Sequence, residues 1–499
     1  MTFREKVSRR VIDPETRDRR ITAVYMALAV LALMHHVYVT VYFPFPENGA
    51  IPFRFAWVIL AGVTAVLGRM WKDWGSRILT ALLLIKILRV AIPSPELVSE
   101  TQTVYENCIY AFYICYGCGR VFSRKDRETF ISLFCALWTL AMVVYSCIGL
   151  YVVFSGNAVP NLGTRPFELN IYENRLWPVY HPVEAGTMAA LSIAAALIGF
   201  FITKRKALRA LYIPAVLVIF LMNVFCISRT SYILTAMGIS APAAMLLYEL
   251  LQRGKRQGKT FTLLRTAAAF AAFAAAAGLV LLLQMKAIPA YNALRSGGGL
   301  IPAAMAEEAQ PAAAELTPRA FVMEEGADGF LTGRLAIWIH CCSGISHFPI
   351  YALTGAGVYD PMEHINTFIR AGLALQYIYH LHSTFIQTLW ESGIPGFLLF
   401  VSFFGIFSVN AVRLIRNRSL PMWQRLIPLP ALLCWLADMV DCGGYCNWGK
   451  PPMTLLYLFT GLTVVLAHAA RSGARDAEGK TAGKPEEPLN QQTQRSIES

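Results

Sequence analysis

The chain has 499 residues, of which 56% are hydrophobic and only 15% are charged, and its mean hydropathy is +0.47. Soluble domains contain about 25% charged residues, and here apolar runs near the roughly 20 residues that cross a bilayer recur throughout. These properties exclude a large water-soluble core. The net charge of +13 is first interpreted as a signal of membrane topology, and we expect no nucleic-acid partner.

Twelve apolar runs predict an all-α polytopic membrane protein with about 12 transmembrane helices. The runs fall near residues 21–43, 52–68, 78–94, 105–122, 129–154, 185–203, 210–228, 231–251, 264–285, 386–409, 425–441 and 452–469.

The segments between these runs alternate in charge. Six of them are basic: residues 1–20, 69–77, 120–127, 204–209, 253–259 together with Arg265, and 413–425. These six contain 27 Lys and Arg residues, whereas the short segments on the other side contain five. Short basic loops stay in the cytoplasm, so we expect both termini there, which requires an even number of spans.

The long segments divide the chain further. We expect a cytoplasmic segment at 1–20, nine spans over 21–285, a large extracytoplasmic loop at 286–385, three spans over 386–469 and a disordered cytoplasmic tail at 470–499. Within the loop, 296–329 is rich in Gly, Ala and Glu and is predicted to be a mobile acidic insertion. The aromatic part, 330–385, is predicted to form short helices on the membrane.

Eleven cysteines make an odd set, so they cannot all be paired. Cys115 and Cys118 have the spacing of a redox or zinc pair but lack a second ligand pair, and we interpret them as structural. Cys442 and Cys446 face outward in the predicted topology, where they either stay free or form a disulfide.

Two basic residues, Lys86 and Arg89, lie inside the third span, three positions apart and therefore on one helix face. One interpretation is that they pair with carboxylates such as Glu106 or Glu184, or extend to the interface. The other is that they line a cavity that binds an anionic lipid headgroup.

Four further motifs face outward in the predicted topology. They are Ser228–Arg229–Thr230–Ser231 between two spans, Gly333–Arg334 followed by Trp338, Gly355–Ala356–Gly357, and His382–Ser383 followed by Leu389, Glu391, Gly393 and Gly396. An isolated outward Arg229 departs from the positive-inside bias, which suggests an anionic partner. A boundary histidine such as His382 serves either as a structural anchor or as a base near neutral pH.

In this order the motifs resemble the O-antigen ligase and polysaccharide polymerase family, whose large extracytoplasmic loop lies between two late spans. The resemblance is specific from Gly333 to Gly396 and weaker over the first nine spans. It departs from the family at Ser383, where Asn is common. It implies a GT-C-like enzyme of the cytoplasmic (inner) membrane of a bacterium, with its active site on the extracytoplasmic side.

The family moves a glycan from a polyprenyl diphosphate carrier to an acceptor hydroxyl in cell-surface polysaccharide assembly. The resemblance therefore implies that Arg229 and Arg334 bind the diphosphate and that His382 activates the acceptor. Lys86 and Arg89 are additional candidates for binding substrate. The first outer loop, Tyr42–Pro52, contains Glu47 and no Asp, so we expect metal-independent chemistry without a cofactor.

Two alternatives remain open. A ligase and a polymerase use the same donor and differ in the acceptor, a lipid-linked core sugar or protein for the ligase and a second lipid-linked glycan for the polymerase. A twelve-span transporter is the alternative from another class, because the segment Gly68–Arg77 faintly resembles a signature of the major facilitator family with both spacings changed by one.

Overall fold

The computed structural model describes eleven stretches of the chain. These are residues 13–41, 50–91, 98–155, 170–172, 175–177, 182–252, 259–296, 334–347, 349–355, 383–440 and 451–482. The side chains of some residues within these stretches lie outside the description, as do the predicted tail beyond 482, Cys442, Cys446 and the predicted insertion apart from Ser296.

Fifteen helices make up almost all of the described chain. They are α1 (Arg19–Val41), α2 (Ala50–Leu67), α3 (Trp74–Ala91), α4 (Val98–Val121), α5 (Arg124–Ser155), α6 (Pro182–Ile202), α7 (Lys206–Phe225), α8 (Arg229–Gln252), α9 (Lys259–Ser296), α10 (Arg334–His347), α11 (Pro349–Thr354), α12 (Thr384–Arg416), α13 (Met422–Leu426), α14 (Pro428–Val440) and α15 (Pro451–Ala482). A 3-10 turn forms at Met70–Lys72, and β1 (Asn170–Tyr172) pairs antiparallel with β2 (Arg175–Trp177).

Seven helices within the described residues are long and apolar enough to cross a membrane: α5, α6, α7, α8, α9, α12 and α15. Large apolar side chains are exposed along them, as at Leu263 and Phe270 of α9, which is what a lipid-facing surface requires. The protein is therefore an all-α membrane protein. The other five predicted spans coincide with α1, α2, α3, α4 and α14, and their assignment as membrane crossings stays a prediction.

Among these seven helices, α6 and α15 are the most deeply buried. Small residues allow this burial, because they let helix backbones approach closely in a membrane protein. A Cβ at Gly461 of α15 would overlap the carbonyl group of Tyr116 in α4, and a Cβ at Gly186 of α6 would meet the Ser231 side chain of α8 at 2.5 Å. At these glycines, α15 and α6 therefore pack closely against α4 and α8.

Polar contacts connect residues that lie in or next to the predicted cytoplasmic segments. Their pairs are Arg17 with the Val121 carbonyl, Arg120 with Asp73, Lys204 with Glu128, and Arg425 with Glu249. The Asp73 carboxylate also accepts hydrogen bonds from Tyr116 at 2.7 Å and from the Ser76 amide at 2.8 Å. Burial lowers the pKa of the Arg17 guanidinium, whose ordinary value is so high that it stays protonated.

The predicted outer loop contains one feature that hydropathy did not indicate and one that was expected. Helix α9 continues to Ser296, eleven residues past the predicted end of its span at 285, and Tyr291 there donates a 2.6 Å hydrogen bond to the Val153 carbonyl. The aromatic part of the loop contains the short helices α10 and α11, as its composition predicted; whether they lie on the membrane stays a prediction.

Candidate functional site

Helix α12 begins at Thr384, two residues after His382 in the sequence, and is interrupted at Gly393. Ser383 precedes it in an extended conformation and is buried. Gly393 has a left-handed backbone, with φ of 64° and ψ of −171°, and Pro395 follows two residues later. Glycine adopts this conformation at little cost, and proline cannot supply an amide for the helix. The first segment of α12, Thr384–Ser392, is therefore set apart from the rest of the helix.

The break in α12 is packed against the end of α11. Gly355, which has a φ of 73°, lies where a Cβ would overlap the carbonyl group of Glu391. A Cβ at Gly393 would in turn meet the Ala352 carbonyl and the Gly355 amide at 2.8 Å. Both positions require glycine, because their conformation and the nearby backbone leave no room for a side chain. The structure thus brings together two separate motifs of the sequence, the one at Gly355 and the one at Glu391–Gly393.

Glu391 also forms a buried ion pair with the third helix. The Lys86 Nζ of α3 lies 2.5 Å from Glu391 Oε2, and the two side chains are 1% and 7% exposed. Gln387, one turn earlier in α12, donates from Nε2 to the other carboxylate oxygen at 2.5 Å. Both oxygens of the carboxylate are therefore satisfied, as a buried charge requires.

A small apolar cluster joins α10 and α11 to the same segment of α12. Cys341 and Trp390 are buried against each other, with Ile345, Tyr351 and Ile386 packed around them. The Tyr351 and Trp390 rings lie 6.3 Å apart in an edge-to-face arrangement. The short helices of the loop are consequently docked on the part of α12 that follows His382.

The turn that contains Arg229 is built from tight local contacts. Arg229 is the first residue of α8 and is half-buried. Ser231 Oγ donates to the Ser228 carbonyl at 2.9 Å, and the adjacent Ile227 has a φ of 46°, which is rare for a β-branched residue. An arginine at a helix N-terminus brings its charge close to main-chain amides, a combination suited to an anion.

A buried polar network lies just before this turn. The Asn223 side chain donates to the Gly186 carbonyl at 2.8 Å and accepts from Gln284 Nε2 at 2.9 Å. All of these groups are inaccessible to solvent, and together they tie α7 to α6 and α9. This buried network therefore holds the end of α7, and with it the turn that contains Arg229, in place.

The predicted site residues are described to different extents. His382 lies outside the described residues, and Arg334 and Arg89 are placed in α10 and α3 without their side chains. Arg229 is described with its side chain. Whether Arg229, Arg334 and His382 share one cavity is a prediction that the described residues do not test.

For Lys86, the described ion-pair partner is Glu391, which was not among the carboxylates expected. Glu391 belongs to the motif that begins at His382, but the residue pattern alone assigns it no role. A signal was present, because Glu391 is the one acidic residue in Thr384–Arg416, and an ionisable group at membrane depth needs a partner. Nothing in the sequence indicated that this partner would be Lys86.

Cys115 and Cys118 are both buried free thiols in α4, and Cys118 donates to the Cys115 carbonyl at 3.2 Å. This is the ordinary behaviour of a small apolar residue inside a helix, in line with the structural interpretation.

Comparisons with known proteins add no assignment. None of the protein families compared with the chain matches it, and no curated protein matches it either.

Proposed function

We propose that this chain transfers a glycan from a polyprenyl diphosphate carrier to an acceptor hydroxyl, as an O-antigen ligase-like enzyme of the cytoplasmic membrane. The proposal includes twelve spans, cytoplasmic termini and a site on the extracytoplasmic side. One observation carries it: Gly355 packs on Glu391–Gly393, so that two motifs from which the resemblance was drawn are parts of one structural unit.

The proposed chemistry follows from the leaving group. When the glycan leaves its carrier, negative charge develops on the diphosphate, and preorganised cations stabilise that charge. Arg229 and Arg334 suit this task because a guanidinium binds phosphate oxygens through two parallel hydrogen bonds. His382 would accept the proton of the acceptor hydroxyl, for which an imidazole is suited near neutral pH. No metal or cofactor has a role in this scheme.

The same residues serve a ligase or a polymerase, because both cleave the same bond in the donor. The acceptor distinguishes them: a lipid-linked core sugar or protein for a ligase, and a second lipid-linked glycan for a polymerase. Lipid-linked glycans from a strain that lacks the protein separate the two. Accumulated long chains indicate a ligase, and accumulated single repeats indicate a polymerase.

A transporter is the second candidate function, and the Lys86–Glu391 pair is the observation that favours it. Ionisable residues inside a membrane often mark the path of an ion or substrate. A transporter would move its substrate across sealed vesicles without changing it chemically. The enzyme would instead yield a product of higher mass and release the polyprenyl diphosphate.

The decisive experiment uses purified protein in lipid vesicles with a polyprenyl diphosphate-linked glycan, an acceptor and EDTA. We expect a glycosylated acceptor, formed at the same rate with and without the chelator. Loss of transfer in EDTA and its return with Mg²⁺ or Mn²⁺ would contradict the metal-free scheme. Substrate flux with no covalent product would instead favour the transporter.

A further inference from the structure

The Lys86–Glu391 ion pair joins residues that are 305 positions apart in the sequence. Each charge alone would be costly at membrane depth, so the pair constrains α3 and α12 to meet at this level. A second contact lies one turn away, where a Cβ at Gly396 would be 3.4 Å from Cδ1 of Leu82. Leu82 and Lys86 are four apart and share a face of α3. α3 and α12 are thus in contact over more than one helical turn.

Glu391 takes part in three contacts at once. Its carboxylate binds Lys86 of α3 and Gln387 of its own helix, while its main chain packs on Gly355 at the end of α11. Movement of Glu391 away from Lys86 would therefore disturb the contact with Gly355. The neighbouring Trp390 would move with it, away from Tyr351 and Cys341.

The burial of the pair separates it from direct substrate binding. The Lys86 side chain is 1% exposed and already has a carboxylate at 2.5 Å. A diphosphate would have to displace Glu391 and leave that carboxylate buried with a lysine lost, which is unfavourable. Lys86 is therefore better suited to holding a protein segment than to binding an anionic donor.

We propose that the Lys86–Glu391 ion pair holds the first segment of α12, Thr384–Ser392, in position against α11 and α3. We call this contact the lock. The segment begins two residues after His382, so the lock sets the rate of turnover in the proposed glycan transfer, and this part of the inference rests on that function. Lys86 and Glu391 are positioning residues in this scheme and do not touch the donor.

The kinetic test compares four variants: Lys86→Met, Glu391→Gln, the double neutral Lys86→Met/Glu391→Gln, and the exchanged Lys86→Glu/Glu391→Lys. Each single variant should lower kcat about 10²-fold, the scale of a small misplacement of reacting groups. The donor KM should stay within about twofold of wild type, because no donor contact is lost. The exchanged variant should recover kcat at least about tenfold over the single variants.

Two native cysteines give a readout that does not require glycan transfer. Cys341 is buried against Trp390, whereas the adjacent Cys342 is exposed. In Lys86→Met, a water-soluble maleimide should label Cys341 about tenfold faster, because the loop helices open from α12 more often. Cys342 should react at its wild-type rate and serves as the internal control, with each cysteine measured in a background that replaces the other by Ser.

The outcomes separate this inference from the proposed function. A raised donor KM with unchanged kcat in Lys86→Met would show direct donor binding and overturn the positioning role. Unchanged Cys341 labelling in both single variants would overturn the lock, whatever the enzyme does. A further outcome is that the wild type transfers no glycan while Lys86→Met still raises the labelling rate of Cys341. That result would contradict the proposed function and the link to turnover, and it would confirm the lock. If a single variant fails to insert, the double neutral variant replaces it in both assays with the same expected shifts.

Discussion

The backbone of Ile227 has a φ of 46°, directly before the turn that begins α8 with Arg229. A β-branched residue in this region carries strain of about 1–3 kcal/mol, and such strain is retained where the surrounding structure enforces it. Here the enforcing contacts are the Asn223 network behind the turn and the close approach of Gly186 to Ser231. These contacts hold the turn that contains Arg229 in one conformation, and the role of Arg229 in binding an anion stays a prediction.

The three proposed catalytic and binding residues should differ in their kinetic effects. Arg229→Lys and Arg334→Lys keep the charge but lose the planar pair of donors, so the donor KM should rise and kcat should fall. His382→Ala should leave the donor KM unchanged and lower kcat by about 10²–10⁴-fold, the usual cost of losing a general base. Steady-state transfer rates against donor concentration measure both constants.

Arg413→Lys, in the last turn of α12, is the matched control and should behave as wild type. If His382→Gln retained nearly full activity, His382 would be an anchor at the membrane boundary and the base would have to be another group. Equal rises in donor KM for all three variants would also contradict the division of roles, because they would place His382 on the donor.

At the scale of elements, the close packing of α11 against α12 depends on two glycines, Gly355 and Gly393. Gly355→Ala and Gly393→Ala should each lower the free energy of unfolding by about 1–3 kcal/mol, since the new Cβ meets main-chain atoms at a positive φ. Thermal unfolding in detergent measures the change.

Gly405 of the same helix provides the control for these variants. A Cβ there has no atom within 4 Å, and alanine favours a helix interior by up to about 1 kcal/mol over glycine. Gly405→Ala should therefore be neutral or slightly stabilising. A loss of stability in Gly405→Ala equal to that in Gly393→Ala would show that any added methyl group destabilises α12. The packing of α11 against α12 would then not explain the effect at Gly393.

The positions of helices were more predictable than their contacts. Eleven of the twelve apolar runs overlap one helix each, and the run at 425–441 overlaps α13 and α14, because a span of about 20 apolar residues is a property of consecutive sequence. The continuation of α9 to Ser296 depends instead on packing, such as the hydrogen bond from Tyr291 to Val153. The Lys86–Glu391 pair depends on how distant helices meet, which no local pattern contains.

The same distinction applies to the candidate site. Its motifs could be recognised from residue order, since Gly355, Glu391 and Gly393 were all part of the pattern. That Gly355 contacts the other two could not be inferred, because the pattern carries no information on distance.

At the scale of the whole molecule, the directions of neighbouring helices agree with the predicted alternation. Leu82 and Lys86 of α3 meet Gly396 and Glu391 of α12, in that order, so these two helices run antiparallel. Spans three and ten are an odd number of crossings apart, so they should run antiparallel if every intervening span crosses the membrane.

Helices α4 and α15 give the opposite case. Phe112 and Tyr116 of α4 meet Tyr457 and Gly461 of α15, so the two helices run parallel. Spans four and twelve are an even number of crossings apart and should be parallel. Both relationships agree with the predicted alternation of helix directions, and the number of twelve spans stays a prediction.

Reporter fusions test that topology directly. A fusion at Gln257 should report a cytoplasmic position, because the surrounding segment is basic and the neighbouring Glu249 pairs with Arg425 among the other basic segments. A matched fusion at Ala313, in the acidic part of the predicted loop, should report an extracytoplasmic position. If Gln257 were extracytoplasmic, the predicted orientation would be wrong, and His382 would face the cytoplasm, where it could not act in glycan transfer on the outer face. If both fusions reported the same side, α9 would not cross the membrane, and the parity argued from α3 and α12 would have to arise from another arrangement of spans.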